Sequence, residues 1–207
     1  MDRRDIVRGV ASVIPATVAL SMLNTKWAFA QAFEDDLDVL NYALTLEYLE
    51  AEFYRQGNAA NLLQGQEAQY LRQIGADENA HVTALTDTIM MLGGTPVAAP
   101  GVDFGMAFAS RESFLETAFT FENLGVSAYL GAAGSIRDKA ILTAAASIFG
   151  VEARHAAIIG LVQGKPAEGG VYMTGFESPL PRDKVLAAAT PFLTGPAAMG
   201  GQAATTT

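Results

Sequence analysis

Four stretches of the chain repeat apolar residues every three or four positions, which is the spacing that lines one face of an α-helix. The first stretch runs from Ala32 to about Gly57. The other three end at Gly93, Gly134 and Gly164, and glycine is a common residue directly after a helix. The pattern therefore predicts four long helices and an all-α fold.

The segments that connect these helices differ in length. Short segments join helix 1 to helix 2 and helix 3 to helix 4, whereas a long irregular segment from Thr95 to Ala109 separates helix 2 from helix 3. Short joins make neighbouring helices antiparallel, and a long join lets the chain cross over the bundle. We expect an antiparallel four-helix bundle with one long crossover between helices 2 and 3.

Ionisable residues interrupt the apolar face of every predicted helix. In helix 2 the face is formed by Leu71, Ile74, Glu78, His81, Leu85, Thr88 and Leu92. In helix 4 it is formed by Leu142, Ala145, Ile148, Glu152, His155, Ile159 and Val162. Helices 1 and 3 place Glu47 and Glu122 in the same way. Burying carboxylates without a compensating charge is costly, so their recurrence in all four helices predicts a shared positive partner.

The buried polar residues form a repeated motif. Each half of the chain contains Glu-x6-Tyr and then Glu-x2-His: Glu47, Tyr54, Glu78 and His81, followed by Glu122, Tyr129, Glu152 and His155. Offsets of 75 residues between the first glutamates and 74 between the second indicate a duplicated helical hairpin. Positions three and seven apart share a helix face. Four carboxylates and two imidazoles should therefore converge, and this donor set suits two divalent transition-metal ions.

Composition narrows the possible chemistry. The 207 residues include no cysteine, which excludes disulfides, iron–sulfur clusters and thiolate metal sites in this chain. Half of the residues are hydrophobic, enough for a sizeable core, and the formal net charge is −9. An acidic chain without a basic patch argues against nucleic acid and anionic membranes as partners.

The N-terminal residues have the features of an export signal. Arg3 and Arg4 precede a short apolar run at 10–23, and Ala28 and Ala30 form a small-x-small cleavage signal. The arginine pair resembles a twin-arginine signal, although aspartates flank it. We therefore expect a signal peptide at 1–30, the bundle at 31–164, and a periplasmic or extracellular mature protein without a membrane span. The alternative is a cytoplasmic amphipathic N-terminus.

Residues 165–207 follow the four helices with a weaker pattern. Residues 182–189 predict one short helix, and the chain from Thr194 onward is rich in glycine, alanine and threonine, as disordered tails are. Apolar residues such as Phe176 and Phe192 predict that the segment before the tail docks on the bundle. The alternative is an arm that holds a homo-oligomer together.

At its repeated motif the chain resembles the ferritin-like superfamily, which includes bacterioferritin, rubrerythrin, manganese catalase and the di-iron oxidases. The resemblance covers about residues 33–164. Within it, the run 46–54 (LEYLEAEFY) is similar to a bacterial, often exported branch related to plant desiccation-associated proteins.

The resemblance implies six metal ligands in three pairs: one outer carboxylate per ion, two bridging carboxylates and one histidine per ion. In that order the pairs are Glu47 and Glu122, Glu78 and Glu152, and His81 and His155. Tyr54 and Tyr129 have two interpretations. They are either aromatic residues of the apolar face or groups that donate hydrogen bonds to the ligands or are oxidised.

Other acidic residues lie close to the predicted ligands. Glu50 and Glu52 compete with Glu47 as the ligand from helix 1, and Glu47 is preferred because it alone matches the seven-residue spacing to tyrosine. Glu50 is then a neighbour of the ligands or a metal-entry residue. In many relatives an aspartate placed like Asp77 reaches the histidine of the opposite helix, here His155. The equivalent residue in helix 4 is Val151, so His81 would lack such a partner.

The resemblance implies a di-metal carboxylate protein with two Fe ions, or alternatively two Mn or a mixed Fe/Mn pair. The leading hypothesis is redox chemistry with O2 or peroxide, such as ferroxidase-type oxidation of Fe(II) or iron handling, which would make the protein an oxidoreductase. One alternative is manganese-catalase-like dismutation of peroxide. The other is a structural, stress-associated protein whose metal ions only hold the bundle together.

Overall fold

The computed structural model describes residues 33–172 and 174–194. Within them, the four long helices are α1 (Asp36–Ala59), α2 (Gly65–Met91), α3 (Arg111–Ala132) and α4 (Lys139–Val162). A short helix, α5 (Arg182–Ala189), and 3-10 turns at Ala133–Ser135 and Thr190–Phe192 are also present. Strands β1 (Gly101–Val102) and β2 (Leu193–Thr194) pair antiparallel. The predicted signal peptide and most of the predicted tail lie outside the described residues.

Side-chain caps mark where three of the long helices begin. The carboxylates of Asp35 and Asp138 accept hydrogen bonds from N–H groups in the first turns of α1 and α4. Ser110 and Ser113 form a reciprocal capping box at the start of α3. Each cap satisfies N–H groups that have no partner inside the helix, and a cap is worth about 1 kcal/mol.

Contacts at the helix ends show that α1 and α3 run in opposite directions. Gly57, near the end of α1, faces the ring of Phe114 at the start of α3. Asp36, at the start of α1, accepts a hydrogen bond from the N–H of Arg137, which follows α3. The two copies of the repeated motif therefore meet head to tail across the bundle.

The long connection between α2 and α3 runs the length of the bundle. Arg111, at the start of α3, donates hydrogen bonds to Glu67 at the start of α2 and to the carbonyl of Val162 at the end of α4. At the opposite end, the N–H of Val97 donates to the side chain of Asn41 in α1. The predicted all-α bundle with one long crossover is confirmed.

Apolar side chains fill both ends of the bundle. Where α1 ends, Phe53 contacts Phe104, Phe108, Phe114 and Phe121 with ring centroids 4.9–5.4 Å apart. Where α1 begins, a second cluster is formed by Leu40, Ala43, Leu44, Leu85, Ile89, Tyr129, Ile141 and Ile148. The polar residues of the repeated motif are also buried in the interior of the bundle, as these two apolar clusters are.

Two residues predicted for the buried faces lie on the surface instead. Leu92 is 46 % exposed because it follows Met91, the last residue of α2, and Ile89 takes the buried position. Leu142 is 36 % exposed, and Ile141 is buried. Ile141 lies seven positions before Ile148, which is nearly two full helical turns, so both side chains share one face. Leu142 lies six positions before Ile148, and its side chain is therefore rotated away from that face.

The chain around α5 packs on the bundle, whereas Phe176, one of the residues from which docking was predicted, is 80 % exposed. α5 buries Val185 completely, and Arg182 at its start forms a two-pronged salt bridge with Asp38 of α1. Before α5 the chain passes so close to α3 that a Cβ on Gly131 would lie 2.0 Å from the carbonyl oxygen of Leu180. Only glycine permits this approach, so Gly131 determines where the segment crosses α3.

Among the described residues, α4 is the one helix with the length and composition of a membrane span. The core helix of a globular bundle meets the same criteria, and α4 carries buried Glu152 and His155 in its second half.

Candidate metal centre

Each long helix contributes two residues of the repeated motif to the bundle interior. These are Glu47 and Tyr54 in α1, Glu78 and His81 in α2, Glu122 and Tyr129 in α3, and Glu152 and His155 in α4. The four glutamates are 0 % exposed, His81 is 8 % exposed and His155 is 3 % exposed. The spacings of three and seven residues place both members of each pair on one face of their helix.

One group of potential metal ligands surrounds the imidazole of His81. Its Nδ1 atom lies 3.2 Å from Oε2 of Glu47, 3.2 Å from Oε2 of Glu78 and 3.3 Å from Oε1 of Glu152. Donor atoms from these four residues all lie within 4.8 Å of one another. This is a compact set of one nitrogen and three carboxylates.

A second group surrounds His155 and mirrors the first. The Nδ1 atom of His155 lies 2.9 Å from Oε1 of Glu78 and 3.1 Å from Oε2 of Glu122. Glu152 completes this group, whose donor atoms also lie within 4.8 Å of one another. The two groups therefore have the same composition, one histidine and three glutamates.

Glu78 and Glu152 belong to both groups. Glu78 turns Oε2 towards His81 and Oε1 towards His155, and the two imidazole rings are 6.2 Å apart between centroids. A carboxylate with one oxygen on each side can bind two ions at once. The shared pair is the one for which the family resemblance implies bridging carboxylates, and Glu47 and Glu122 each belong to a single group.

Two tyrosines link the halves of the cluster. Tyr54 of α1 donates a hydrogen bond to Oε1 of Glu122 in α3, and Tyr129 of α3 donates to Oε1 of Glu47 in α1, at 2.5 Å. In each glutamate the other oxygen, Oε2, faces a histidine. Burial and the adjacent carboxylate raise the pKa of both tyrosines well above its usual value, so both remain protonated donors.

The surroundings of the two histidines differ. Oδ2 of Asp77 lies 3.2 Å from Nε2 of His155, which is the predicted contact. Within the described part of the chain, no hydrogen-bond partner lies at Nε2 of His81. The position equivalent to Asp77 in α4 is Val151, whose side chain has no polar atom.

Glu50 adds a further carboxylate beside the cluster. It is 4 % exposed, and burial, followed by the charges of Glu152 and Glu78, raises its pKa well above the usual value. Gly125 provides the space, because a Cβ there would lie 2.5 Å from Oε2 of Glu152 and 3.4 Å from Oε1 of Glu50. Glu50 belongs to neither ligand group.

Electrostatics in the cluster reflect the excess of carboxylates. Burial lowers the pKa of His81, but hydrogen bonds to Glu152, Glu47 and Glu78 outweigh it and raise the pKa to about 12. The same balance raises the pKa of His155 to about 11. Burial raises the pKa of Glu78 to about 7, against hydrogen bonds from both histidines. Without metal, protons supply the positive charge that the carboxylates require.

The chemistry of the cluster fits a pair of metal ions. Within the described residues, Oε2 of Glu152 is buried without a hydrogen-bond partner, and Oε1 of Glu78 and Oε1 of Glu152 each have only the Nδ1 atom of one histidine nearby, at 2.9 Å and 3.3 Å. Such oxygens are rare in folded proteins and are available to a cation. Carboxylates and imidazole together favour Fe and Mn over Ca and Mg. The buried Glu/His groups can therefore hold metal ions.

Comparison with known families agrees with this geometry. The sequence model of the ferritin-like domain matches residues 35–165, more than half of the chain. The chain belongs to the ferritin-like domain family. A search of curated proteins found no match. In this ferritin-like chain the matched region begins at the cap of α1 and ends just after α4, so it contains all six predicted ligands.

The structure of this ferritin-like chain brings together most of the residues selected from sequence. The six predicted ligands, both tyrosines, Asp77 and Glu50 lie in or beside the cluster. Glu52 does not, because its side chain lies on the surface and accepts hydrogen bonds from Arg55 and Gln56. Sequence reasoning overlooked Gly125, although the 75-residue offset pairs it with Glu50 and could have identified it.

Proposed function

We propose that this ferritin-like protein binds two iron ions in the buried cluster and oxidises Fe(II) with dioxygen or peroxide. The observation that carries the proposal is the pair of ligand groups with Glu78 and Glu152 in common. Carboxylates in common would hold two ions close enough for both to react with one small molecule. Manganese, alone or together with iron, is the alternative occupant.

When bound, two Fe(II) ions would supply one electron each, which with two protons reduces O2 to H2O2, or H2O2 to two water molecules. The protein supplies charge balance, since four carboxylates neutralise two divalent ions. Glu50 is buried beside Glu152, and in the metal-free protein burial and neighbouring carboxylates raise its pKa well above the usual value. Glu50 belongs to neither ligand group, so its carboxyl group would be available to exchange a proton with the reacting molecule.

The hydrogen-bonding residues would fix the orientation of the ligands. Tyr54 and Tyr129 each donate a hydrogen bond to Oε1 of an outer glutamate, which would leave Oε2 of that glutamate free to bind an ion. Asp77 would hold the imidazole of His155 through Nε2 and keep Nδ1 free of a proton for the ion. Ligands held in this way need little rearrangement when an ion binds.

The experiment is Fe(II) oxidation by metal-free protein, followed by absorbance after addition of iron and either O2 or H2O2. The parent protein should oxidise Fe(II) faster than buffer alone, and Glu78→Ala should lose this activity. Glu52→Ala is the matched control, because it removes the same charge from the surface of the bundle.

Other outcomes would assign a different function. Protein from metal-balanced medium that contains more than about one Mn per chain, with little Fe, and that releases O2 from peroxide would be a manganese catalase. If neither oxidation of Fe(II) nor turnover of peroxide exceeds the background, the metal ions have a structural role and the redox proposal fails.

We also propose that the protein is exported, on the basis of the signal-like residues 1–30. N-terminal sequencing of the mature protein from fractionated cells tests this proposal. Material outside the cytoplasm that begins near Gln31 would support it. Cytoplasmic protein that retains residues 1–30 would contradict it.

A further inference from the structure

An apolar cavity of about 50 Å³ lies inside the bundle, on the side of the metal cluster where α1 begins. Residues from all four long helices line it. It is distinct from the ligand groups, because none of the six predicted ligands is part of its wall.

The inner end of the cavity adjoins the metal cluster. Ala43, Leu85 and Ile148 line the cavity, and each lies one helical turn from a predicted ligand on its own helix. The ring of Tyr129 also lines it, and the hydroxyl of this residue donates a hydrogen bond to Glu47. A molecule at this end of the cavity would therefore lie about one helical turn from the predicted ligands.

The outer end of the cavity reaches the surface between α2 and α4. Ala84 of α2 and Ala144 of α4 both line the cavity and are both exposed. Their small side chains leave the seam between these two helices open.

The wall of the cavity provides few hydrogen-bond partners for a polar molecule. Three of the lining residues carry a hydroxyl group, and two of these groups already donate a hydrogen bond: Thr88 to the carbonyl of Ala84, and Tyr129 to Glu47. That leaves the hydroxyl of Tyr42. A buried water needs two to four polar partners, so an apolar cavity of this kind stays dry and admits apolar molecules.

We infer that this cavity binds dioxygen and is the route by which dioxygen reaches the metal centre. The inference rests on the proposed function and selects O2, rather than peroxide, as the oxidant served by this route. One water molecule requires about 10–15 Å³ when cavity volume is measured in the same way, so a cavity of about 50 Å³ has room for a diatomic molecule. Dioxygen is apolar and enters a dry cavity readily, whereas H2O2 would lose hydrogen bonds that the wall does not replace.

Xenon binding to metal-free protein tests the cavity independently of metal chemistry. Xenon-pressurised crystals should show the atom between Leu85, Tyr129 and Ile148. Ala144→Leu should narrow the mouth of the cavity. Because the side chain introduced by Ala144→Leu can turn to solvent, Ala132→Leu serves as a second variant, which should fill the interior. The interior variant should weaken xenon binding by about fivefold or more. Ala146→Leu, on the exposed side of the same helix, is the matched control.

Oxidation kinetics test the route. Ala144→Leu or Ala132→Leu should lower kcat/KM for O2 by about threefold or more, with metal content, kcat at saturating O2 and the rate with H2O2 unchanged. Ala146→Leu should behave as the parent in each assay.

Three results would overturn the inference. Absence of xenon from the cavity of the parent protein would show that the cavity is not a binding site, whether or not the protein oxidises Fe(II). Loss of xenon binding in a variant whose kcat/KM for O2 is unchanged would remove the route. A parent protein that binds xenon but oxidises Fe(II) with neither oxidant would overturn the proposed function, and with it the role of dioxygen.

Discussion

Asp77 makes the two halves of the Glu/His cluster unequal. It contacts Nε2 of His155, whereas Val151 in the equivalent position offers nothing comparable to His81. A carboxylate on the outer nitrogen of a ligand histidine fixes its tautomer and raises its basicity. At the scale of single residues, this is the clearest departure from the internal repeat.

Metal titration of the metal-free protein should therefore show two unequal steps. The site at His155 should bind about tenfold more tightly or better, the range that loss of such a partner costs. Asp77→Ala should weaken the first step and bring the two closer, and Val151→Asp should strengthen the second. Asp87→Ala, an exposed aspartate further along α2, is the control. Two equal steps in the parent protein would show that Asp77 does not affect metal affinity.

The predicted bridging residues should matter more than their neighbours. Glu78→Ala or Glu152→Ala should abolish binding of the second equivalent of metal, because each removes a ligand common to both groups. Glu50→Ala should leave most of the metal bound, since Glu50 belongs to neither group. Elemental analysis after gel filtration measures both. Loss of metal from Glu50→Ala but not from Glu47→Ala would show that the ligand from α1 is assigned wrongly.

At the scale of the helices, α3 carries a glycine where α1 carries a glutamate. Gly125 lies three residues after Glu122, as Glu50 lies three residues after Glu47, and the glycine leaves room for Glu152 and Glu50. The duplicated hairpins thus differ at the point where they meet across the cluster.

Gly125→Ala should impair metal binding while Gly150→Ala does not. A Cβ at position 125 would lie 2.5 Å from Oε2 of Glu152, so this ligand must move. At position 150 the nearest atom is Nη1 of Arg154 at 3.6 Å, an ordinary contact. Replacing that helical glycine should stabilise the protein by about 0.5–1 kcal/mol. Metal affinity and thermal melts of both variants provide the comparison, and unchanged affinity in Gly125→Ala would contradict the argument.

At the scale of the whole molecule, the charge of the cluster links folding to metal and pH. Metal should raise the melting temperature, because the ligand groups exist only in the folded protein. The metal-free protein should remain helical, since most of the interior is apolar. A melting temperature that stays constant when a chelator removes the metal would contradict this linkage.

The stability of the metal-free protein and the increase in stability on metal loading should change with pH in opposite directions. In the metal-free protein the pKa of Glu78 is raised from 4.5 to about 7 and that of His81 from 6.5 to about 12. Between the ordinary and the raised pKa of each group, the folded state binds more protons than the unfolded state. Its stability should therefore fall as the pH rises from about 5 through 8. Metal displaces those protons, so the increment in melting temperature on loading should grow over the same range.

Melts of both forms at several pH values measure the two slopes directly. The metal-free protein should melt at a higher temperature at pH 5.5 than at pH 8, and the increment from metal should be larger at pH 8. A metal-free protein that melts at a higher temperature at pH 8, or an increment that shrinks as the pH rises, would mean that the cluster does not dominate the pH dependence.

Sequence alone determined the helices, their order and the eight polar residues of the repeat. It could do so because helical periodicity is local: a spacing of three, four or seven residues decides the shared face without knowledge of the partner helix. It failed at Leu92 and Leu142, where the last turn of one helix and the rotation of another decide exposure.

The tertiary structure decided everything that depends on distances between helices. It showed that Glu78 and Glu152 each belong to two groups, that Tyr54 and Tyr129 hold glutamates of the opposite half, and that Glu52 faces away. It also disclosed the space at Gly125 and the cavity beyond Tyr129, both of which exist because small residues from different helices meet. The 75-residue offset could single out Gly125, but the size and position of a void result from packing between helices, which spacing along the chain does not specify.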